Sequence, residues 1–164
     1  MPATYEPIAT TTLGSAASTI TFSAIPNTFT DLRLVLVGLT DASGNREIGI
    51  RFNGDSATNY SITSLIGNGS TVSSTRQTSQ SKIFAGEVVS TREALCEIDI
   101  FSYNGSTNKT VLAKSSEDRN GSGNVRNTVG LYRSTSAITS VTLILDSDNY
   151  AIGYTATLYG IKSA

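Results

Sequence analysis

The chain has 164 residues, a formal net charge of −1 and a charged fraction of 15%, well below the usual quarter. This length suits one domain with a substantial core, and the scattered, nearly cancelling charges exclude a strong field for nucleic acid or an anionic membrane. No stretch approaches the roughly 18 apolar residues of a membrane-spanning helix, and the first residues lack the basic segment of a signal peptide. We therefore expect a protein that is made in the cytoplasm and not inserted into a membrane.

The apolar residues recur mostly at every second position, which is the period of β-strands. Residues 1–17, rich in Pro and Thr, predict an extended N-terminal arm, and residues 18–164 show no composition shift and predict a single domain. Turns rich in Gly, Asn, Asp and Ser separate the predicted strands. These strands cover residues 18–23, 31–39, 47–52, 59–67, 81–89, 94–103, 109–116, 125–134, 138–146 and 153–162.

The spacing and connections of these strands predict the fold class. Short connections favour antiparallel pairing, so the chain predicts an all-β, antiparallel two-sheet sandwich. About 8–10 strands favour a jelly roll over a seven-stranded immunoglobulin-like sandwich. Two polar segments interrupt the pattern: residues 67–80 predict an exposed loop or a weak edge strand, and residues 115–124 predict a second loop.

Three predicted strands are apolar on both faces, because Val35, Val37, Ile144, Tyr159 and Ile161 point away from their apolar neighbours. Such a strand is covered either by loops of the same chain or by another subunit, and the sequence leaves both alternatives open. A trimer of jelly rolls would bury these faces around a three-fold axis, and the arm could lie across a neighbour. The predicted interface residues are Tyr5, Pro7, Ile8, Val35, Val37, Ile144, Tyr159 and Ile161.

The residue types needed for most catalytic sites are missing. The chain has no histidine and a single cysteine, which excludes a Ser-His-Asp triad, a Cys-His dyad and thiolate zinc clusters. Alternation puts Cys96 on an apolar strand face, so we expect a buried structural thiol. Glu97 and Asp99 share the other face about 6.6 Å apart, a spacing open to paired-carboxylate glycoside chemistry, but a solvated strand face is favoured. We predict no catalytic residues, no cofactor and no enzymatic activity.

Two further segments are candidates for sites. Asp146, Asp148 and Asn149 place several oxygens on one loop, but calcium needs six to eight and the EF-hand spacing is absent. A turn held by Asx hydrogen bonds is the favoured interpretation, and no metal site is predicted. The segment RFNGDSATNY (51–60) contains Asn53-Gly54, a dipeptide suited to a type I′ turn, and is interpreted chiefly as a turn.

Three stretches carry a resemblance. They are YEPIATTTLGSAASTITFSAIPNTFTDLRLVLVG (5–38), RFNGDSATNY (51–60) and STSAITSVTLILDSDNYAIGYTATLYGIK (134–162). Together they resemble small virion proteins of tailed bacteriophages, frequent in phages of marine and freshwater bacteria, including cyanobacteria. The resemblance covers a little under half the chain and leaves out residues 63–130. The matched positions are interpreted as fold determinants: Phe52, Asn53, Gly54, Asp55, Tyr60, Leu158, Tyr159, Gly160 and Ile161.

The resemblance implies a jelly-roll structural or binding protein of the virion. The expected function is capsid decoration: a cement protein, expected to be a homotrimer, that bridges subunits of the major capsid protein or binds another virion protein. The alternative is a tail- or head-fibre tip that recognises a host surface glycan. In that case the contact loops would present Tyr60, Arg76, Tyr103, Arg119 and Tyr132.

Overall fold

A computed structural model of the chain describes residues 4–162, and within that range every regular element is a β-strand. Accordingly, none of these residues belongs to a helix that is long and apolar enough to cross a membrane. The strands are β1 (Tyr5–Thr12), β2 (Thr19–Phe22), β3 (Asp31–Gly38), β4 (Arg46–Phe52), β5 (Tyr60–Gly67), β6 (Val72–Gln80), β7 (Ile83–Val88), β8 (Ala94–Phe101), β9 (Lys109–Asp118), β10 (Gly123–Tyr132), β11 (Val141–Leu145) and β12 (Thr155–Ile161).

The strands form two sheets in which every pair is antiparallel. The eight-stranded sheet has the order β1-β12-β3-β8-β9-β10-β5-β6, and the four-stranded sheet has the order β2-β11-β4-β7. The two sheets pack face to face, with β7 lying over β9 and β10. The predicted all-β antiparallel sandwich is confirmed, with twelve strands in the described residues where the sequence predicts about ten.

The core lies between the sheets and follows from strand alternation. In β3 the leucines at 32, 34 and 36 are fully buried while the residues between them are only half-buried. Because successive side chains of a strand point to opposite faces, one face of each strand supplies the core. The predicted apolar faces of β3, β4 and β8 are confirmed as core: Leu32, Leu34, Leu36, Ile48, Ile50, Phe52, Ala94, Cys96, Ile98 and Ile100.

Most residues of the two polar segments belong to strands, and in β6 this depends on backbone pairing rather than on burial. β6 reads VSSTRQTSQ and is exposed along nearly its whole length, yet it pairs with β5 from Gly67↔Val72 to Tyr60↔Gln80. It is therefore an edge strand, one of the two alternatives predicted for residues 67–80. Residues 115–124, predicted as a loop, form mainly the arms of a hairpin, because β9 runs to Asp118 and β10 begins at Gly123.

Part of the predicted N-terminal arm is also a strand. β1 lies at the other edge of the eight-stranded sheet and pairs with β12, from Tyr5↔Ile161 to Thr12↔Thr155. The register shifts between Pro7 and Ala9, since proline has no backbone N–H to continue the ladder. The predicted contact of this segment with a neighbouring subunit stays a prediction.

Candidate functional site

The eight-stranded sheet has one face against the core and one that faces away from the four-stranded sheet, here called the outer face. Of the eight large hydrophobic side chains that are exposed among residues 4–162, seven lie on this outer face, and Ile152, in a turn, is the eighth. Polar residues such as Ser116 and Lys114 lie between some of them, and large apolar side chains gathered on one face mark an interaction surface. The seven are Tyr5, Leu65, Val72, Leu95, Phe101, Val125 and Val129.

The register explains why these side chains form one surface. Ser116 of β9 lies between Leu95 of β8 and Val125 of β10. Gly67 of β5 lies between Val125 and Val72 of β6. One row therefore runs across five neighbouring strands with apolar side chains at three of its five positions. Directly opposed residues in a sheet are close enough to act as one contact surface.

An open groove of about 580 Å³ lies at one end of this surface. Its walls include Leu95 and Val125 of the outer face, and its rim includes Asn68 and Gly69 of the β5–β6 turn and Ser122 of the β9–β10 turn. The two polar segments noted in the sequence, 67–80 and 115–124, thus meet at the same place.

Two neighbouring rows across the middle of the outer face carry charged side chains. Arg33 donates from Nε and Nη2 to the two oxygens of Asp99 at 2.6 and 2.8 Å, and this hydrogen bond, with the carboxylate charge, raises the pKa of Arg33. In the next row Glu97 lies directly opposite Lys114, but neither forms an ion pair within residues 4–162. The centre of the face therefore carries one charge of each sign that forms no ion pair, and the charge of Glu97 adds to that of Asp99 in raising the pKa of Arg33.

The structure brings six of the predicted interface residues together. Strand register and alternation put Tyr5, Pro7, Val35, Val37, Tyr159 and Ile161 on the outer face of β1, β3 and β12. The guanidinium of Arg33 lies 5.5 Å from the centre of the Tyr5 ring, which confirms that Tyr5 faces outward.

The other two predicted interface residues lie elsewhere. Ile144 belongs to β11 of the four-stranded sheet and is half-buried there, so it cannot share a surface with the outer face. Ile8 packs against the core, because it follows the outward-facing Pro7 along β1 and therefore points to the opposite side of the sheet. Whether any of the eight residues contacts a subunit stays a prediction.

The sequence analysis missed the most exposed part of the outer face, which lies on β5, β6, β8 and β10. One signal was present: in ALCEIDIF, Leu95 and Phe101 alternate with the core residues and share the face of Glu97 and Asp99. Apolar residues at both ends of a polar strand face indicate a surface that is partly covered in an assembly. Val72 had no such signal, because nothing in VSSTRQTSQ predicts on which side of a sheet it lies.

The residues predicted to contact a ligand do not form one surface. Tyr60, Tyr103 and Tyr132 are buried, with Tyr60 and Tyr132 stacked 4.8 Å apart between the sheets. Their rings are therefore unavailable to stack on a sugar, because inward strand positions and turns direct them to the core. Arg76 is exposed on the outer face and donates to the Thr63 hydroxyl at 3.1 Å, whereas Arg119 lies in the β9–β10 turn. Of the five, only Arg76 is well exposed, because Arg119 is half-buried and donates to Glu117 and Asn45.

A second polar arrangement connects the two sheets. Arg126 of β10, 8% exposed, donates from Nη2 to Oε1 of Glu87 at 2.7 Å, and its Nη1 lies 3.4 Å from Oε1 of Glu47. Both glutamates belong to the four-stranded sheet, so these ion pairs cross the interior of the sandwich. They hold the sheets together at the end where β7 lies over β10.

Glu117 of β9 extends this cluster. Its Oε1 accepts from Arg119 at 3.0 Å and from Asn124 at 3.2 Å, while its buried Oε2 has no partner. Burial raises the pKa of the Glu117 carboxyl, which the charge of Glu87 reinforces and that of Arg119 opposes. Asn124 also donates to Glu87, so the amide lies between the two carboxylates. The cluster has the contacts of an internal structural network, and Glu117 and Asn124 also line the open groove of about 580 Å³.

The remaining chemical candidates have structural partners. Burial raises the pKa of the Cys96 thiol to about 12, so this thiol is not a nucleophile at neutral pH. Asp146 is paired with Lys82, and Asp148 with Arg46 at 2.5 Å, so both carboxylates of the suggested calcium loop are paired with cations. Within residues 4–162, no group of three or more His, Cys, Asp or Glu side chains could hold a metal ion.

The segment RFNGDSATNY is a turn with structural side chains. Asn53 and Gly54 have φ values of 53° and 68°, and the Asp55 amide donates to the Phe52 carbonyl at 2.9 Å. The Asn53 side chain accepts from the amides of Thr139 and Ser140 and thereby connects the turn to the segment before β11. The interpretation of this segment as a turn is confirmed.

We expect Asn53→Ala to lower the free energy of unfolding by about 1–2 kcal/mol, because several side-chain hydrogen bonds and a residue type that tolerates the left-handed conformation are lost together. Chemical denaturation measures the change. Asn120→Ala is the matched control, since Asn120 has a φ of 58° in another Asn-Gly turn and its side chain has no hydrogen bond among the described residues. An equal loss in both variants would contradict a role for the Asn53 side chain.

Comparison with known proteins adds no relative to this picture. No family model matches the sequence, no curated protein matches it, and no solved structure matches the fold. The outer face of the eight-stranded sheet is the most distinctive surface of the molecule.

Proposed function

We propose that this chain is a structural protein of a tailed-bacteriophage particle and acts as a capsid decoration, or cement, protein. The observation that carries the proposal is the outer face, where seven large hydrophobic side chains are exposed on one broad sheet surface. Such a surface is stabilised when another protein subunit covers it. The resemblance of residues 5–38, 51–60 and 134–162 to small virion proteins supports the same function.

The strand order supports a jelly roll as the finer description of the sandwich. In a jelly roll the first strand pairs with the eighth, the eighth with the third and the third with the sixth, while the second sheet pairs second, seventh, fourth and fifth. When β2 is taken as the first strand, the four-stranded sheet β2-β11-β4-β7 has the order of the first jelly-roll sheet. The strands β3-β8-β9-β10-β5-β6 have the order of the second sheet when β8, β9 and β10 together are taken as the seventh strand. β1 and β12 are then additions beside β3.

The size of the outer face suits a stable protein interface. The eight strands are separated by seven inter-strand distances of about 4.8 Å, and each strand has about eight residues with a rise of about 3.3 Å per residue. The face therefore measures about 34 by 26 Å, or about 900 Å². A standard interface buries about 800 Å² on each partner. Covering this surface with another subunit removes apolar area from water and stabilises an assembly. An assembled decoration protein stabilises a capsid by joining neighbouring capsid subunits through its other surfaces.

Immunogold electron microscopy of particles of the source phage, with an antibody against this chain, tests the proposal. We expect label spread over the head, and we expect particles lacking the protein to release their DNA at a lower temperature than complete particles. Label confined to the tail or to fibre tips, or no label on any particle, would overturn the decoration function.

One observation favours a fibre-tip module as the second candidate. The polar turns around Asn68 and Ser122 meet at the groove of about 580 Å³, beside Glu93 and Asp118, and such a groove offers hydrogen bonds to a sugar. The buried tyrosines count against it, because glycan sites usually provide an exposed ring. Label at fibre tips, together with binding to host glycans that is lost on blocking the groove with Gly69→Trp, would support this candidate.

A further inference from the structure

We propose that the partner covering the outer face is a second copy of this chain, related by a two-fold axis that runs parallel to the strands between β8 and β9. This inference deepens the proposed function, on which its role in bridging capsid subunits rests. The dimer itself is measured without reference to any particle.

The strand order puts the axis in the middle of the face. Four strands, β1, β12, β3 and β8, lie on one side of the β8–β9 boundary, and four, β9, β10, β5 and β6, lie on the other. A two-fold rotation about an axis along this boundary stacks each half of one copy on the opposite half of the other. The whole face of about 900 Å² is then covered at once, which meets the area of a standard interface.

Charge complementarity favours a copy of the same chain over an unrelated partner. Glu97 and Lys114 lie opposite each other on β8 and β9, on either side of the axis, and neither has an ion-pair partner within residues 4–162. Because the rotation keeps each row and exchanges its sides, Glu97 of one copy faces Lys114 of the second copy, and the reverse pair forms with it. Two unpartnered charges thus become two pairs across the interface.

One apolar pair also matches in the same arrangement. Val125 on β10 and Val37 on β3 belong to one row and are the second strands on either side of the axis. The rotation therefore puts Val125 of each copy over Val37 of the other. Leu65 and Val72 are covered by the opposite half of the second copy, where Thr157 and Thr12 lie in their rows.

A two-fold arrangement accounts for this surface better than the three-fold one expected from the sequence. In a two-fold interface one patch pairs with itself, whereas a three-fold ring needs two different patches that complement each other. The outer face contains both halves of a self-complementary surface. A two-fold unit also carries two copies of every capsid-contacting surface, which suits a protein that holds neighbouring capsid subunits.

Sedimentation of the full-length chain over a range of concentrations tests the dimer. We expect the mass of two chains for the wild type and an increase of at least about tenfold in the dissociation constant for Val125→Asp, because the new charge is buried in the interface. Ile152→Asp is the matched control, since Ile152 is 71% exposed, against 60% for Val125, but lies off the outer face. A wild-type mass of one chain or of three chains, or equal effects of the two variants, would overturn the inference.

A charge exchange tests the position of the axis. Lys114→Glu puts like charges face to face and is expected to weaken the dimer, while Lys114→Glu combined with Glu97→Lys restores opposite charges and is expected to restore dimerisation. Circular dichroism confirms that each variant is folded. Failure of the double variant to recover would overturn the axis between β8 and β9.

The two proposals fail independently. Head label on phage particles with a single-chain mass in solution would overturn the dimer and leave the decoration function standing. A two-chain mass that responds to Val125→Asp, with no label on any particle, would overturn the decoration function and leave the dimer standing.

Discussion

Replacing Arg126 by methionine is expected to lower the free energy of unfolding by about 3–5 kcal/mol, the cost of leaving a buried charge without its partner. The Arg126 side chain is 8% exposed, and Glu87, with which it pairs at 2.7 Å, is 14% exposed. Methionine retains much of the volume but leaves the Glu87 carboxylate in the interior with only amide donors from Asn45 and Asn124. Chemical denaturation of both proteins at neutral pH measures the difference.

Two controls distinguish the effect of leaving a buried charge unpaired from the effect of losing an arginine side chain. Arg126→Met combined with Glu87→Met removes both charges, so we expect most of the stability to return. Arg46→Met breaks the ion pair with Asp148, whose side chain is 38% exposed, and is expected to cost less than about 1 kcal/mol. A similar small loss for Arg126→Met would show that the ion pairs between the sheets do not hold the sandwich together.

Gly160→Ala is expected to lower the free energy of unfolding by about 3 kcal/mol, the upper part of the range for overpacking a core. A Cβ at this position would lie 2.3 Å from Cγ of Phe29, closer than any two carbon atoms pack. The Phe29 ring cannot move away easily, because its backbone amide donates to the Tyr103 hydroxyl at 3.4 Å and Lys162 lies 5.5 Å from the ring centre. Thermal and chemical denaturation both measure the loss.

A double replacement tests whether the Phe29 ring is the group that excludes a side chain at residue 160. In a Phe29→Ala background the space above Gly160 is open, so the further change Gly160→Ala is expected to cost less than about 1 kcal/mol. Gly14→Ala serves as the control for losing a glycine, because nothing lies within 4 Å of its added Cβ. A full loss in the Phe29→Ala background would mean that the backbone at residue 160, rather than the ring, excludes a side chain.

Some features of this protein follow from short stretches of sequence. The alternation of leucines with other residues in DLRLVLVG predicts both the β3 strand and its buried face, because side chains of a strand point to alternate sides. The Asn53-Gly54 turn follows in the same way, since asparagine and glycine tolerate the positive φ values that a tight turn needs. Neither conclusion depends on any distant part of the chain.

Other features could not be found in this way, because they depend on which strands become neighbours. Nothing local in β6 distinguishes VSSTRQTSQ from a polar loop, and only the free edge of β5 makes it a strand. Tyr60 and Tyr132 are buried together because β5 and β10 pair at Tyr132↔Tyr60, although both are typical surface-compatible residues. The sequence does not show this strand pairing, so the prediction that these tyrosines form a contact surface was wrong.

The sequence by itself determined an all-β chain with ten of the twelve described strands, a set of core faces and the turn at Asn53, because these depend on the two-residue period and on local backbone preference. Only the tertiary structure decided that the outward residues of β5, β6, β8 and β10 form one exposed surface with those of β1, β3 and β12. It also decided that Arg126 meets Glu87 across the interior. Those contacts join residues far apart in the chain, and long-range strand pairing is set by the packing of the whole sandwich rather than by any short segment.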